Sequence, residues 1–154
     1  MKVEDVQILL NRARRNTLGD ILLRTRERYP GKEAIKYKNK RLTYAQLDDV
    51  VNQTARAFLA DGMKKGDMIA VISKNSLDFV IVNFALARIG AVMIPLNYML
   101  TVADIQYILT HAEVVGLIAS EEYAPVLDRA SLGMPIRHRY LMEADKNVEG
   151  LDHW

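Results

Sequence analysis

The feature that most constrains the fold of this chain is a series of short apolar runs separated by longer segments of helical character. The runs are MIAVI at 68–72, AVMIPL at 91–96 and VVGLIA at 114–119, and all three contain several β-branched residues. Strands that are buried on both faces of a parallel sheet have this composition. Such strands in alternation with helices predict an α/β domain with a mainly parallel sheet, right-handed crossovers and helices on both faces.

The start of the longest predicted helix is encoded by the stretch LTYAQL at 42–47. Thr43 is placed to cap the helix, and Gln46 can reach back to the Thr43 amide, which together make a capping box. Leu42 before the cap and Leu47 at the fourth helical position predict the flanking hydrophobic staple. We therefore interpret this stretch as a helix start, because none of its residues is an obvious nucleophile or base.

Further caps and turns divide the rest of the chain into elements. The predicted elements are a peripheral amphipathic helix at 1–16, a helix from Thr17 to about Tyr29, a hairpin turning near Asn39, a helix opened by Asn75 and ended by Gly90, a helix opened by Thr101 and Asp104, and a last strand at 139–142. Residues 17–154 are predicted to form one domain, since no linker or low-complexity segment interrupts them.

Composition excludes several classes of protein. The net charge of +2 and the absence of a basic stripe with interleaved aromatic residues argue against a nucleic-acid partner. The chain has no cysteine, which excludes disulfides and thiolate chemistry and fits a cytoplasmic location. The most apolar region is interrupted by charged and helix-breaking residues, so no transmembrane segment is predicted. A cluster of Arg12, Arg14 and Arg15 indicates a solvated helix face or, alternatively, contact with a membrane surface.

The loops that follow the predicted strands carry no recognisable catalytic constellation. None of them contains a glycine-rich phosphate motif, and no histidine has the partner spacing of a zinc-binding helix. Asp48 and Asp49 are adjacent, so they point apart on a helix and are not a paired acid and base. Asn97 and Tyr98, just after the second strand, either face a ligand or shape their loop. His138 lies between two arginines and is expected to be exposed.

Two segments resemble the core motifs of the adenylate-forming enzymes, which include acyl-CoA synthetases, peptide synthetase adenylation domains and luciferases. LTYAQL resembles the first core motif, and LARIGAVMIPLN at 86–97 resembles the second, with Arg88 at the usual lysine and Ile89 at the usual alanine. The resemblance covers residues 17 to 120 in consistent order. PLNYMLTVADIQYIL looks most like the fatty-acyl-CoA ligase branch. The positions that carry the motifs are Leu42, Thr43, Tyr44, Leu47, Gly90, Pro95 and Asn97.

The resemblance implies that the chain is the N-terminal part of a longer ligase, a partial AMP-binding domain that ends before the phosphate loop. In such a ligase a carboxylate, here a fatty acid, attacks the α-phosphate of ATP, and the thiol of coenzyme A then displaces AMP, with Mg²⁺ as the metal. The motif positions are expected to be structural, and no catalytic, cofactor-binding or metal-binding residue is assigned. No cofactor is expected on the chain by itself, and apolar surface left uncovered is expected to cause self-association.

Two other classes stay open on the sequence. One is a self-standing α/β domain that binds a nucleotide or flavin, for which a cofactor absorbance in the purified protein would be decisive. The other is a non-catalytic interaction domain, for which a natural stop codon after Trp154 would be the evidence.

Overall fold

The computed structural model describes residues 17–142. The helix predicted for residues 1–16, and the part of the predicted domain beyond residue 142, lie outside this range. The helices are α1 (Leu18–Arg28), α2 (Tyr44–Ala60), α3 (Leu77–Ile89), α4 (Val102–His111) and α5 (Ala124–Ala130), with a short 3₁₀ turn at Glu121–Tyr123. The strands are β1 (Glu33–Tyr37), β2 (Lys40–Thr43), β3 (Met68–Ile72), β4 (Val92–Pro95), β5 (Gly116–Ser120) and β6 (His138–Met142).

The predicted α/β class with a mainly parallel sheet is confirmed. Strands β3 to β6 form one sheet in the order β4-β3-β5-β6, and every neighbouring pair is parallel. In chain order, β4 is added on one side of β3, and β5 is then added on the other side of β3. The direction of winding therefore reverses between β3 and β5, in the middle of the sheet.

Helices cover both faces of this sheet, as predicted. One apolar cluster joins α1, α2 and α3 to the face that carries Val71, Ile118 and Tyr140. The other joins α4 and α5 to the face that carries Ile72 and Leu117. Strands β3, β4 and β5 each contribute to both clusters because successive side chains point to opposite faces. This is why the three runs are apolar throughout rather than alternating.

A separate antiparallel hairpin, β1 with β2, precedes α2 as predicted. Lys38 occupies its turn with a φ of 51°, a left-handed conformation that non-glycine residues adopt only occasionally. Ile35 and Leu42 are paired across the hairpin and pack, half-buried, against the cluster of α1, α2 and α3. The second strand of the hairpin therefore continues directly into the first turn of α2.

The capping box at the start of α2 is confirmed. The Thr43 hydroxyl accepts a hydrogen bond from the Gln46 amide at 3.3 Å, and the Gln46 side chain accepts one from the Thr43 amide at 2.9 Å. Leu42 and Leu47 lie in the same apolar cluster, in agreement with the predicted staple. The second box, at the start of α4, is confirmed by the hydrogen bonds between Thr101 and Asp104.

We expect Thr43→Ala to lower the free energy of unfolding by about 1 kcal/mol, because the amides at the start of α2 lose the side chain that caps them. Chemical denaturation followed by circular dichroism measures this. Thr110→Ala is the matched control, since Thr110 is exposed and donates to the Gln106 carbonyl inside α4 rather than capping it. Equal stability of the Thr43 variant and the wild type would show that this residue contributes nothing as a cap.

Two details of the helices differ from the sequence predictions. The cap of α3 is Ser76 rather than Asn75, because the Ser76 hydroxyl accepts the Phe79 amide at 3.1 Å. Helical spacing also predicts Leu59 on the apolar face of α2, yet its side chain is 53% exposed. The predicted end of α3 at Gly90 is confirmed, and its φ of 78° is a conformation that glycine adopts without strain.

Candidate functional site

The carboxyl ends of β3 and β5 are where an open parallel sheet most often binds a ligand. The loop after β3 leads to α3 on one face, and the loop after β5 leads to α5 on the other. Where neighbouring loops diverge in this way, a crevice opens outside the ends of the strands. The candidate site is therefore set by the topology before any side chain is considered.

Side chains from three loops meet at this edge. Lys74, after β3, pairs with Glu122, after β5, at 3.1 Å, and its ammonium group lies 6.0 Å from the centre of the Tyr123 ring. The hydrogen bond to Glu122 raises the pKa of Lys74. Tyr98, from the loop after β4, stacks on Tyr123 with ring centres 5.9 Å apart. These four side chains lie at the point between β3 and β5 where the winding of the sheet reverses. They comprise one cation, one carboxylate and two aromatic rings.

Two residues of the second motif, Pro95 and Asn97, lie on the approach to this edge. Pro95 is the last residue of β4 and is paired in register with Val71. The Asn97 side chain accepts a hydrogen bond from the Met99 amide at 2.9 Å. This hydrogen bond lies within the loop, so it supports loop shaping, one of the two roles considered for Asn97. Tyr98 is 51% exposed.

The two motif segments meet at a buried ion pair that sequence reasoning missed. Asp48, which directly follows the first motif, is fully buried and lies 2.7 Å from the guanidinium of Arg88 in the second motif. Its other carboxylate oxygen accepts from Arg26 of α1 at 2.8 Å and from Asn52 at 3.1 Å. Arg88 also donates to the side chain of Asn52 and to the carbonyl of Gly19. One carboxylate therefore holds α1, α2 and α3 together.

The close packing of α1 on α3 depends on Gly19. A Cβ atom at this position would lie 3.0 Å from the Ala87 oxygen and 3.0 Å from the Arg88 Cα atom, both of them backbone. The absence of a side chain lets α1 approach α3 closely enough for the Gly19 carbonyl to receive Arg88. A cleft of about 400 Å³ opens beside this contact and extends to Gly90 at the end of α3.

The prediction that His138 is exposed is wrong. Its side chain is 6% exposed, and Nδ1 lies 2.9 Å from the carboxylate of Asp61 at the end of α2. The Tyr140 hydroxyl donates to the same carboxylate oxygen, and these two hydrogen bonds hold the pKa of Asp61 below its usual value, Tyr140 having the larger effect. Because His138 opens β6, the cluster lies at the amino edge of the sheet, away from the crevice.

A metal centre is not formed by the described part of the chain. No group of three or more histidine, cysteine, aspartate or glutamate side chains within residues 17–142 is arranged to hold an ion. No helix in this range is both long and apolar enough to cross a membrane.

A family model described as AMP-binding enzyme matches residues 22–151, which is most of the sequence. The chain belongs to the AMP-binding enzyme family. The matched range contains both motif segments, the whole four-stranded sheet and the Asp48–Arg88 ion pair. The resemblance inferred from the two motifs is thereby confirmed.

Relatives within the family are named as CoA ligases or synthetases. A Bacillus subtilis protein, YngI, provisionally named as an acyl-CoA synthetase, is 30% identical over 159 residues, which is 90% of this chain and 29% of that protein. Crotonobetaine/carnitine–CoA ligase of Salmonella typhimurium is 33% identical over 118 residues, which is 75% of this chain and 23% of the ligase. The solved fatty acyl CoA synthetase of Mycobacterium tuberculosis is 27% identical, with a TM-score of 0.72, over 82% of this chain and 26% of that structure.

The chain spans less than one third of the length of these family members. The fold is shared over that part, since the structural match covers 82% of this chain with a TM-score of 0.72. The names of the relatives differ in the acyl group that they mention, fatty acyl in one and carnitine in another. Membership of the family therefore leaves the acyl group open.

Proposed function

We propose that this chain is the N-terminal part of an ATP-dependent acyl-CoA synthetase, an acid–thiol ligase that activates a carboxylate through an acyl-adenylate. The observation that carries the proposal is the family match over residues 22–151, together with relatives named as CoA ligases at 30% and 33% identity. We propose a fatty acid as the carboxylate, supported by the likeness of PLNYMLTVADIQYIL to the fatty-acyl branch.

The role proposed for these residues is structural. The motif positions Leu42, Thr43 and Leu47 form a helix start and its flanking contacts. Gly90 ends α3, and Pro95 ends β4. None of these side chains is a nucleophile or base that points to a common centre. The proposed role of the chain is therefore that of a scaffold, which contributes a sheet and a three-helix layer to the longer ligase.

ATP, Mg²⁺ and coenzyme A are proposed as cofactors of the longer ligase only. The described residues do not fit them: no carboxylate cluster within 17–142 suits a metal ion, and the loops of this range carry no glycine-rich phosphate cradle. No step of the reaction is therefore assigned to a residue of this chain. A cytoplasmic location and self-association of the chain belong to the same proposal, the latter supported by the outer edges of β4 and β6, which have no strand partner among residues 17–142.

The function is tested on the protein encoded by the reading frame continued beyond Trp154. We expect it to form acyl-CoA and AMP in equal amounts from ATP, coenzyme A and a carboxylic acid. A panel of fatty, aromatic and carnitine-like acids identifies the acyl group. No product with any member of the panel would refute the proposed ligase.

The 154-residue chain by itself is expected to be inactive, because its described loops hold no phosphate cradle. The measurement is acyl-CoA formation from ATP, a fatty acid and coenzyme A, with the longer protein as the positive control. Turnover above the enzyme-free blank by the short chain would contradict the scaffold role and place chemistry in this segment.

A further inference from the structure

The outer face of α1 carries an unusual exposure of apolar side chains. Ten large apolar side chains among the described residues are strongly exposed, and four of them lie between Leu18 and Tyr29. Leu18 is 47% exposed, Ile21 is 48% exposed and Tyr29 is 59% exposed. Only one large apolar side chain of α1, Leu22, is fully buried. This helix therefore presents much of its apolar surface to the outside of the domain.

One row along the helix contains exposed residues and the half-buried Thr25, whereas the exposed Leu23 lies outside it. Leu18, Ile21, Thr25 and Arg28 follow one another at intervals of three, four and three residues, which places them on a single face. Leu22 is next to Ile21 in sequence, about 100° further around the helix, and it packs into the cluster of α1, α2 and α3. The row is thus apolar in its first half and cationic at its end. We call it the outer row of α1.

Positive charge lies at the C-terminal end of the outer row. Arg28 and Lys32 are exposed and have no ion-pair partner within residues 17–142, and the Lys32 ammonium lies 5.9 Å from the centre of the Tyr29 ring. Residues 17–32 contain four arginine or lysine residues and two acidic residues, so their net charge is +2. The whole chain has a net charge of only +2. This short segment therefore carries a net positive charge equal to that of the whole chain.

We propose that the outer row of α1 docks on the surface of an anionic lipid bilayer. Aliphatic side chains, an aromatic ring and flanking basic residues on one face are the combination that an interfacial helix uses. Leu18 and Ile21 enter the boundary between headgroups and acyl chains, and Tyr29 lies at headgroup level. Arg28 and Lys32 are attracted by the negative surface potential. The site is separate from the carboxyl edge of the sheet and does not depend on the ligase reaction.

Vesicle flotation with the 154-residue chain tests this surface, because bound protein rises with the lipid whereas aggregated protein sinks. The wild type is expected to float with phosphatidylcholine vesicles that contain about one third phosphatidylglycerol, and not with phosphatidylcholine alone. Leu18→Ser/Ile21→Ser should weaken binding roughly tenfold. Arg28→Gln/Lys32→Gln should weaken it by about twenty-fivefold at low salt, at about fivefold for each charge.

Matched variants elsewhere on the surface serve as controls. Leu132→Ser removes a side chain that is 75% exposed in the turn after α5, and Arg56→Gln/Lys40→Gln removes two exposed charges from α2 and β2. Both are expected to float like the wild type. The proposal is overturned if the wild type stays at the bottom with anionic vesicles, or if the controls lose as much binding as the outer-row variants. Flotation that is equal with both kinds of vesicle would also contradict it.

Discussion

Asp48→Ala is expected to lower the free energy of unfolding by about 3–5 kcal/mol, the range for breaking a buried ion pair by removing one partner. The carboxylate of Asp48 is fully buried, and the guanidinium of Arg88 beside it is only 18% exposed. The variant leaves Arg88 with its charge and without its closest counter-ion. A loss of this size is a large share of the stability of a typical domain.

The neighbouring residue provides the control for this prediction. Asp49 also pairs with Arg26, at 2.5 Å, but its side chain is 63% exposed. Asp49→Ala should therefore cost at most about 1 kcal/mol, as exposed ion pairs do. Denaturant titration of both variants gives the comparison. If Asp48→Ala were no more destabilising than Asp49→Ala, the ion pair would not hold the three helices together.

A double substitution separates the loss of a charge partner from the loss of packing. Asp48→Leu/Arg88→Met removes both charges and fills much of the space with apolar atoms. Replacement of a buried ion pair by apolar residues is often neutral. The double variant should therefore be more stable than Asp48→Ala. A double variant as unstable as Asp48→Ala would assign the effect to packing rather than to the unpaired cation.

Phe58→Ala is expected to lower the free energy of unfolding by about 3–5 kcal/mol, the usual cost of deleting a buried phenyl ring. The Phe58 side chain is fully buried in α2, and its ring lies 5.2 Å, centre to centre, from the ring of Tyr140 in β6. The ring therefore joins the helix that begins at the first motif to the last described strand. Its removal leaves a cavity between them.

Leu59→Ala is the matched control, because Leu59 is the next residue of the same helix and is 53% exposed. It should cost well under half as much as Phe58→Ala, since most of its side chain already contacts solvent. Thermal and chemical unfolding followed by circular dichroism measures both variants. Equal losses for the two substitutions would contradict the burial of Phe58.

Local signals made most of the fold predictable. The capping boxes at Thr43 and Thr101 each need only four consecutive residues, and the apolar runs identify strands without reference to any partner. The cap of α3 was misplaced by one residue because Asn75 and Ser76 are both good caps and stand side by side. Only the hydrogen bond from the Phe79 amide distinguishes them.

Contacts between distant residues account for the errors at the candidate site. Asp48 pairs with Arg26 and Arg88, which are 22 and 40 residues away, and no local pattern joins them. One signal was nevertheless present, because Asp48, Val51, Ala55 and Phe58 share a face of α2 at helical spacing. An acidic residue on an otherwise apolar face indicates a buried partner.

His138 shows a second source of error. Its two arginine neighbours suggested an exposed position, but alternation along β6 turns Arg139 outward and His138 inward with Tyr140. The period of the strand, rather than the charge of its neighbours, decides the burial of such a residue. Had the strand been predicted to begin at 138 rather than 139, the inward position would have followed.

The central claim is that the first motif of the family forms the capped start of a helix and is not part of the catalytic centre. The most direct test is kcat/KM of the Thr43→Ala variant of the longer ligase, measured well below its melting temperature. We predict a value within about twofold of the wild type, because a lost helix cap costs only about 1 kcal/mol of stability and touches no reacting group. A fall of a hundredfold or more, about 2.7 kcal/mol of transition-state stabilisation, would place Thr43 in the chemistry and contradict the account.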